Sequence, residues 1–551
     1  MSQRDIGDHL DQLTMKNIRL TKEFWIVSFA AIILAALFAF LDGSGHWLQS
    51  WVAYLIMLGL GAGSIYWVWR VVKVSPKVTS VAIISFSLRL SAGIALALLL
   101  PIIGYQNNTE HLSGYVYTDA YIRDGQAWGL ATSGNPLSQA FSGQFSGDQY
   151  GGMLAMSAFI YRFLSPDAHR PFLILILAST FSAWGVLCLG KASRTWFNER
   201  TALLAIWLFA LYPESVLLGS SQMREAIVIP MTAISFYGLT EILGKRWTGW
   251  LWLILSAIFL FSIQPLAGFI SFAVLLGIWL LDPSTLSKIK QRQTILVIFL
   301  LTAVLMLTML VVGSILANLP SIHGNKALSI FINWFQNNFT YQSYLTERSS
   351  GMFQSLLDSM GEQWRWLIVL VYGIAQPVLP AIVGDPGAAW IMRLIGFLRA
   401  AGWYALALFL VYGILGVFRS RNETRRLQLI WISIISWAWI MVAALNAGAD
   451  QWDNPRYRVI LLLWQVILAA WAYEWARSRK DAWLWRWLAV EVVFVGMFTE
   501  WYLGRYYPGF IHLEIKLMIV VTLLVCGMIL VGGAIWDKKH IANPQPPDNR
   551  L

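Results

Sequence analysis

Three ionisable side chains lie close together in the segment 117-YTDAYIRDGQAW-128, namely Asp119, Arg123 and Asp124. They stand out because 58% of the chain is hydrophobic and only 13% is charged. A carboxylate held near a membrane surface can accept the proton of an attacking hydroxyl group. If the segment is helical, Asp119 and Arg123 are i,i+4 partners, and a solvated ion pair worth at most about 0.5 kcal/mol is the structural alternative. Asp119 is the first candidate for a catalytic base.

Two further segments carry a carboxylate or a guanidinium beside small residues. Asp148 lies between glycines in 145-FSGDQYGG-152, which permits a tight turn, and an ordinary Asx turn is the alternative. Arg224 precedes Glu225 at the predicted start of a helix. A glutamate suits the positive end of a helix, whereas an arginine opposes it. Arg224 therefore either extends to the membrane surface or binds a phosphate with its planar set of donors.

Arginines also occur where a membrane protein usually lacks them. Arg456 and Arg458 lie in 453-DNPRYR-458, which we predict to be an outer loop, and an anionic lipid headgroup would account for them. Arg89 lies inside a predicted span, where a charge is costly, so we expect it to turn inward towards a polar partner.

The elements that must position these residues are membrane helices. Apolar segments long enough to cross a bilayer begin near residues 24, 51, 80, 171, 201, 224, 249, 266, 293, 397, 427, 457, 483 and 514. The sequence thus predicts an all-α, polytopic membrane protein with about 14 spans of ~20 residues. Pro265 separates two of the shorter segments and marks a turn or a kink.

The positive charges predict the orientation of the spans. With the N-terminus in the cytoplasm, every cytoplasmic loop is rich in Lys or Arg, as in 191–200, 418–426 and 476–480. This holds only if 151–164 and 364–383 lie along the outer face as interfacial helices. The alternative, in which 364–383 crosses, would place 418–426 on the wrong side.

The orientation has a consequence for location and function. Both termini are predicted to be cytoplasmic, in a plasma (inner) membrane, and the long segments 105–170 and 319–396 lie on the outer, periplasmic side. Polar chemistry on one face suits an enzyme that acts on a lipid-linked substrate at the interface.

The net charge of +11 reflects the basic cytoplasmic loops and not nucleic-acid binding. Cys188 and Cys526 lie in apolar spans and predict neither a disulfide framework nor a metal cluster.

In the order of its elements, the chain resembles the GT-C superfamily of membrane glycosyltransferases, which includes protein O-mannosyltransferases and aminoarabinose transferases. The matching pieces are 118-TDAYIRDGQAW-128, 148-DQYGGMLAMSAFIYRFL-164, the span 171–191, 211-LYPESVLLGSSQMREA-226, 352–396 and 453–458. The resemblance divides the chain into two additional N-terminal spans in 1–79, a catalytic core in 80–475, and C-terminal spans with a cytoplasmic tail in 476–551. The family often has an Asp-Glu pair in its first loop. This sequence has Asp119-Ala120, so the second acidic residue is Asp124, Asp148 or none.

The resemblance implies transfer of a sugar from a polyprenyl-phosphate donor to an acceptor, with inversion at the anomeric carbon. Asp119 would take the acceptor proton, with Asp148 as second choice and Asp124 as a further candidate. The donor phosphate would be bound by Arg123, Arg224, Arg456 and Arg458. The residues flanking these charges are candidates for contacting the substrate: Tyr121, Tyr150, Gln222 and Glu225. No cofactor is implied, and no spacing predicts a metal ligand set, although a divalent metal could serve the leaving phosphate.

Three other functions fit parts of the pattern. A transporter or flippase of lipid-linked sugars would require ionisable residues deep in several spans. A polysaccharide polymerase or ligase would use lipid diphosphate-linked donors and a larger basic pocket. An assembly subunit without catalysis would carry the same charges as packing pairs. The acceptor could be protein, lipid or glycan.

Overall fold

The computed structural model describes residues 25–286, 365–384, 387–421, 423–448, 450–504, 507–511 and 513–542. Every regular element in these ranges is a helix. The predicted span from 293 and most of the predicted outer segment 319–396 lie outside the described residues.

The helices of the first half of the chain carry the polar site. They are α1 (Trp25–Asp42), α2 (Trp47–Val72), α3 (Pro76–Ile103), α4 (Thr109–Leu112), α5 (Thr118–Thr132), α6 (Gly152–Leu164), α7 (Phe172–Trp196), α8 (Glu199–Leu211), α9 (Pro213–Gly219), α10 (Glu225–Leu243), α11 (Thr248–Ile263), α12 (Pro265–Leu280) and α13 (Pro283–Leu286). A 3-10 helix covers Leu137–Phe141. Four of the helices begin at a proline, because its fixed φ suits the first helical turn and its missing N–H is not needed there.

The described helices of the second half are α14 (Arg365–Ala375), α15 (Leu379–Gly384), α16 (Trp390–Arg419), α17 (Arg426–Ala447), α18 (Asp453–Arg458), α19 (Leu462–Arg479), α20 (Ala482–Leu503) and α21 (Ile515–Ala542). A 3-10 turn, Val459–Leu461, connects α18 to α19. The segment 453–458 is therefore helical and not the loop that the sequence predicted. Pro455 lies in the first turn of α18, where a proline is compatible with a helix.

Ten of the described helices are long and apolar enough to cross a membrane, or eleven if the pair α8 and α9, bent by 51°, is one span. The protein is thus a multi-pass, all-helical membrane protein across the described residues. The spans predicted from 249 and 266 correspond to α11 and α12, which have 16 residues each. At 1.5 Å per residue, each is about 24 Å long, which is less than the ~30 Å hydrocarbon core. The predicted break at Pro265 is confirmed.

The chain forms two compact units. Of the described residues, those within Met1–Lys191, Val216–Tyr237 and Leu251–Gly268 form unit 1, and those within Ala192–Ser215, Gly238–Trp250 and Phe269–Leu551 form unit 2. In unit 1, the rings of Phe38, Tyr54 and Phe172 lie within 6.5 Å of one another. In unit 2, Gly413 and Gly416 face the side chains of Leu468 and Trp471, so α16 and α19 approach closely through small residues.

Arg89 turns inward towards a polar partner, as expected for a charged residue inside a span. It is 2% exposed and donates to the Ser85 hydroxyl at 2.7 Å, and that hydroxyl is 2.8 Å from Ser182 on α7. The two cysteines, Cys188 and Cys526, are free thiols inside helices α7 and α21.

Candidate functional site in unit 1

The acidic segment singled out by its charges forms helix α5. Its buried face carries Ala120, Ala127 and Leu130 together with Arg123 and Asp124. Arg162 of α6 donates to the carbonyls of Leu130 at 2.6 Å and Ala131 at 3.1 Å, which satisfies the open C-terminal end of α5. Helix α6 therefore fixes α5 and with it the direction of the two buried charges.

Asp119 lies in the first turn of α5 and is half-buried. It is the most accessible of the three predicted carboxylates, because Asp124 and Asp148 are 3% and 1% exposed. Its proposed ion pair with Arg123 stays a prediction. The contacts of Arg123 include the carbonyl oxygens of Gly147 at 3.0 Å and Gln222 at 3.4 Å.

Asp124 accepts hydrogen bonds on both carboxylate oxygens. The Tyr161 hydroxyl donates to Oδ1 at 2.5 Å, and the Tyr115 hydroxyl donates to Oδ2 at 2.5 Å. Nε2 of His169 lies 2.9 Å from the same Oδ2. Three donors from three separate segments of unit 1 therefore converge on one buried carboxylate.

The two tyrosines act as donors over the whole physiological pH range. Burial raises the pKa of the Tyr115 phenol well above its ordinary value, and the charge of Asp124 raises it further. The pKa of the Tyr161 phenol is raised by the same two causes, again with burial as the larger. Both hydroxyls stay protonated, so neither of them can take up a proton from a substrate.

Asp148 joins two arginines to the start of α6. Its Oδ2 accepts from the backbone N–H of Leu154 at 3.0 Å, and its Oδ1 accepts from that of Tyr150 at 3.3 Å. The first bond satisfies an N–H at the start of the helix, and the second forms the Asx turn that the glycines suggested. Arg123 and Arg224 each approach the carboxylate to 3.9 Å.

Arg224 presents donors that the protein does not use. Its side chain is 12% exposed, and its Nε and Nη1 atoms are buried without a hydrogen-bond partner among the described residues. Its guanidinium lies 5.5 Å from the ring centre of Tyr150. A buried N–H group without a partner is costly, so this guanidinium is suited to an anionic ligand that accepts from it.

A cavity of about 250 Å³ lies beside these residues in unit 1. Its walls combine apolar side chains with hydroxyl and amide groups, and its lining includes Leu96, Phe172, Leu175, Tyr115, Ser221 and Gln222. Tyr115 connects the cavity to Asp124, because its hydroxyl bonds that carboxylate. Gln222 has φ of 54° and lies two residues before Arg224. The cavity suits a ligand with an apolar part and a polar head.

The remaining predicted substrate contacts are also in unit 1. The Tyr121 ring lies 5.6 Å from that of Tyr115, in an edge-to-face arrangement. Glu225 begins helix α10, as predicted, and is fully buried. Unit 1 thus brings together nine of the eleven predicted site residues.

Arg456 and Arg458, the other two, belong to unit 2. Arg456 lies 3.4 Å from Asp453. Arg458 donates to the carbonyl of Gln376 at 2.9 Å, and its guanidinium lies 3.4 Å from the ring centre of Trp403. In the same unit, Arg399 forms a buried two-point ion pair with Glu214, at 2.5 and 3.0 Å. All of these contacts lie within unit 2, where Nε and Nη1 of Arg458 are also buried without a hydrogen-bond partner among the described residues.

Sequence reasoning missed His169, Tyr115 and Tyr161. His169 is one of only seven histidines in the chain, and it lies in a predicted outer segment near the start of a span, which is the signal that could have identified it.

In the part of the chain that the structure describes, no group of three His, Cys, Asp or Glu side chains could hold a metal ion. A comparison of the sequence with protein-family models found no match. A search of the curated proteins also found none.

Proposed function

We propose that this protein is an integral membrane glycosyltransferase of the GT-C type. It would move a sugar from a polyprenyl-phosphate donor to an acceptor at the outer face of the plasma membrane, with inversion. About 14 spans, interfacial helices at 151–164 and 364–383, and cytoplasmic termini belong to the same proposal. The segment 105–170 between spans α3 and α7 then lies on the outer side, and so does the turn that carries Arg224.

The observation that carries the proposal is the buried guanidinium of Arg224. Two of its nitrogen atoms have no hydrogen-bond partner among the described residues, and it lies at the start of a helix. Both features favour a phosphate, because the helix N-terminus and the guanidinium donate to the same kind of anion. The cavity lined by Gln222, two residues before Arg224 in the chain, has apolar walls that would suit the first part of a lipid chain.

In the proposed reaction, the sugar is transferred in one step. The bond between the anomeric carbon and the donor phosphate oxygen breaks, and its electron pair stays on the phosphate. The acceptor oxygen forms the new bond to the anomeric carbon and loses its proton to a base. Arg224 and Arg123 stabilise the charge that grows on the leaving phosphate. Asp119, the most accessible carboxylate, is the first candidate for the base.

The test is sugar transfer by the full-length protein in lipid nanodiscs, with a panel of radiolabelled polyprenyl-phosphate sugars, in the presence and absence of Mg²⁺ or Mn²⁺. Wild type should transfer, and Arg224→Gln should lose about 100-fold or more, as when a charge-stabilising donor is removed. Arg194→Gln is the matched control, because Arg194 is exposed. Asp119→Asn tests the base.

Two outcomes would contradict the proposal. The first is no turnover with any donor, together with no protection of the protein against heat by those lipids. The second is turnover only with lipid diphosphate-linked oligosaccharides, which would indicate a polymerase or ligase.

A further inference from the structure

The imidazole of His169 packs against two aromatic rings. Its ring centre lies 5.5 Å from that of Trp128, in a stacked arrangement, and 5.0 Å from that of Tyr161, edge to face. Trp128 projects from α5 and Tyr161 from α6. A ring held in this way has little freedom to rotate, so the direction of its two nitrogen atoms is set by the packing of these helices.

The hydrogen bond to Asp124 fixes which nitrogen carries the proton. A carboxylate only accepts, so Nε2 of His169 donates to Oδ2 across 2.9 Å. In the neutral ring, Nδ1 is then the acceptor. Asp124 is held in turn by the hydroxyls of Tyr115 and Tyr161. A buried carboxylate that orients an imidazole is the arrangement by which enzymes prepare a histidine to take a proton.

The side chain of His169 is far more exposed than that of its partner, Asp124. The His169 side chain is 30% exposed, whereas that of Asp124 is 2% exposed. The carboxylate already accepts from three donors and cannot reach a substrate from its buried position. The imidazole, by contrast, can be reached by a substrate.

We propose that His169 is the general base of the transfer reaction and that Asp124 is its positioning residue. The inference rests on the proposed function and competes with Asp119 for one role. The acceptor hydroxyl gives its proton to Nδ1 as its oxygen bonds to the anomeric carbon. The donor phosphate leaves with the electron pair of the broken bond. The imidazolium, stabilised by Asp124, then releases its proton to water, so no other reactant is needed.

A purely structural role for His169 is the rival explanation. In that case the imidazole would only tie the segment before α7 to α5 and α6, and its loss would lower stability and donor binding together. A general base behaves differently. Its removal lowers kcat while KM for the donor is unchanged, and a small diffusible base can replace it.

The experiment uses the transfer assay in nanodiscs with wild type, His169→Ala, His169→Gln and Asp119→Asn, each with and without added imidazole. The control is His46→Gln, since His46 is exposed at the start of α2. We expect His169→Ala and His169→Gln to lose about 100-fold or more in kcat with KM for the donor unchanged, as for the loss of a general base. Imidazole should restore part of the rate of His169→Ala only. The control should match wild type.

Three results would overturn the inference. If wild type transfers sugar and both His169 variants do so at the same rate, the proposed function stands and the base lies elsewhere, first at Asp119. If the variants lose kcat but imidazole restores nothing and their melting temperature falls, the role is structural. If wild type transfers no sugar from any donor, the proposed function and the base assignment fail together.

Discussion

The ion pair between Glu214 and Arg399 gives a prediction whose size follows from the structure. Two bonds join the side chains, and the exposed fractions are 1% for Glu214 and 3% for Arg399. Arg399 also donates to the carbonyl of Trp452 at 3.2 Å and lies 4.4 Å from its ring centre. Arg399→Met removes the guanidinium but nearly preserves the volume, so the buried carboxylate of Glu214 loses the cation that donates two hydrogen bonds to it.

The expected loss is about 3–5 kcal/mol of the free energy of unfolding, as when one partner of a buried pair is removed. A double variant, Glu214→Leu with Arg399→Met, replaces both charges with apolar groups. Because an apolar pair can substitute for a buried ion pair at little net cost, we expect the double variant to recover most of that loss. The coupling energy should therefore exceed about 2 kcal/mol.

The assay is reversible unfolding in mixed detergent micelles, followed by tryptophan fluorescence. Arg421→Met is the matched control, because Arg421 is exposed and its loss should change stability by about 0.5 kcal/mol or less. Equal destabilisation of the single and double variants would refute the reasoning. It would mean that the arginine contributes through its packing against Trp452 and not through the charge of Glu214.

Three smaller predictions concern unit 1. Tyr161→Phe removes one donor to the buried carboxylate of α5 and should lower the unfolding free energy by about 1.5–3 kcal/mol, measured in the same micelles, and no change would show that water replaces the hydroxyl. Gly147→Ala places a Cβ 2.8 Å from the backbone nitrogen of Arg123 and should cost about 1–3 kcal/mol, whereas Gly129→Ala, with open space around it, should not destabilise. The pKa of Asp167 is lowered to about 2, first by its hydrogen bond from Arg170. Its folded-state pKa is below the unfolded value of about 3.9, so its stabilisation is present above that value and is lost as the pH falls towards 2. The melting temperature of Asp167→Asn should depend less on pH in this range, and parallel curves for the two proteins would contradict this.

The helices themselves were largely predictable, because length and hydropathy determine whether a segment can cross a bilayer. The break before Pro265 and the inward Arg89 also follow from local chemistry. The helical start at Asp453 was not predicted, although Pro455 is compatible with the first turn of a helix. The lengths of α11 and α12 differ from full spans by only a few residues, which is within the uncertainty of any boundary drawn from hydropathy.

The charged residues of the candidate site could be predicted from the sequence, but the residues that contact them could not. Asp124 and Asp148 were chosen because carboxylates are rare in this chain, and unit 1 places Asp148 within 3.9 Å of two of the predicted arginines, Arg123 and Arg224. His169 and Tyr161 lie tens of residues from Asp124 along the chain, so their contacts depend on how α5, α6 and the segment before α7 pack. Periodicity describes one face of one helix and carries no such information.

The helices of unit 2 differ in how much of their surface the protein itself covers. For each segment, we compare the buried share of its own most apolar 18-residue window. This share is 89% in Asp453–Arg479, 0% in Ala482–Leu503 and 11% in Ile515–Lys539. The substitutions tolerated among related chains should therefore differ between these helices. Along Ala482–Leu503 and Ile515–Lys539, Leu, Ile, Val and Phe should replace one another more freely among related chains, except at the buried cluster of Trp501, Tyr502 and Met518. Along the covered helix, side-chain volume should be nearly invariant, because each substitution must fit neighbours that cannot move.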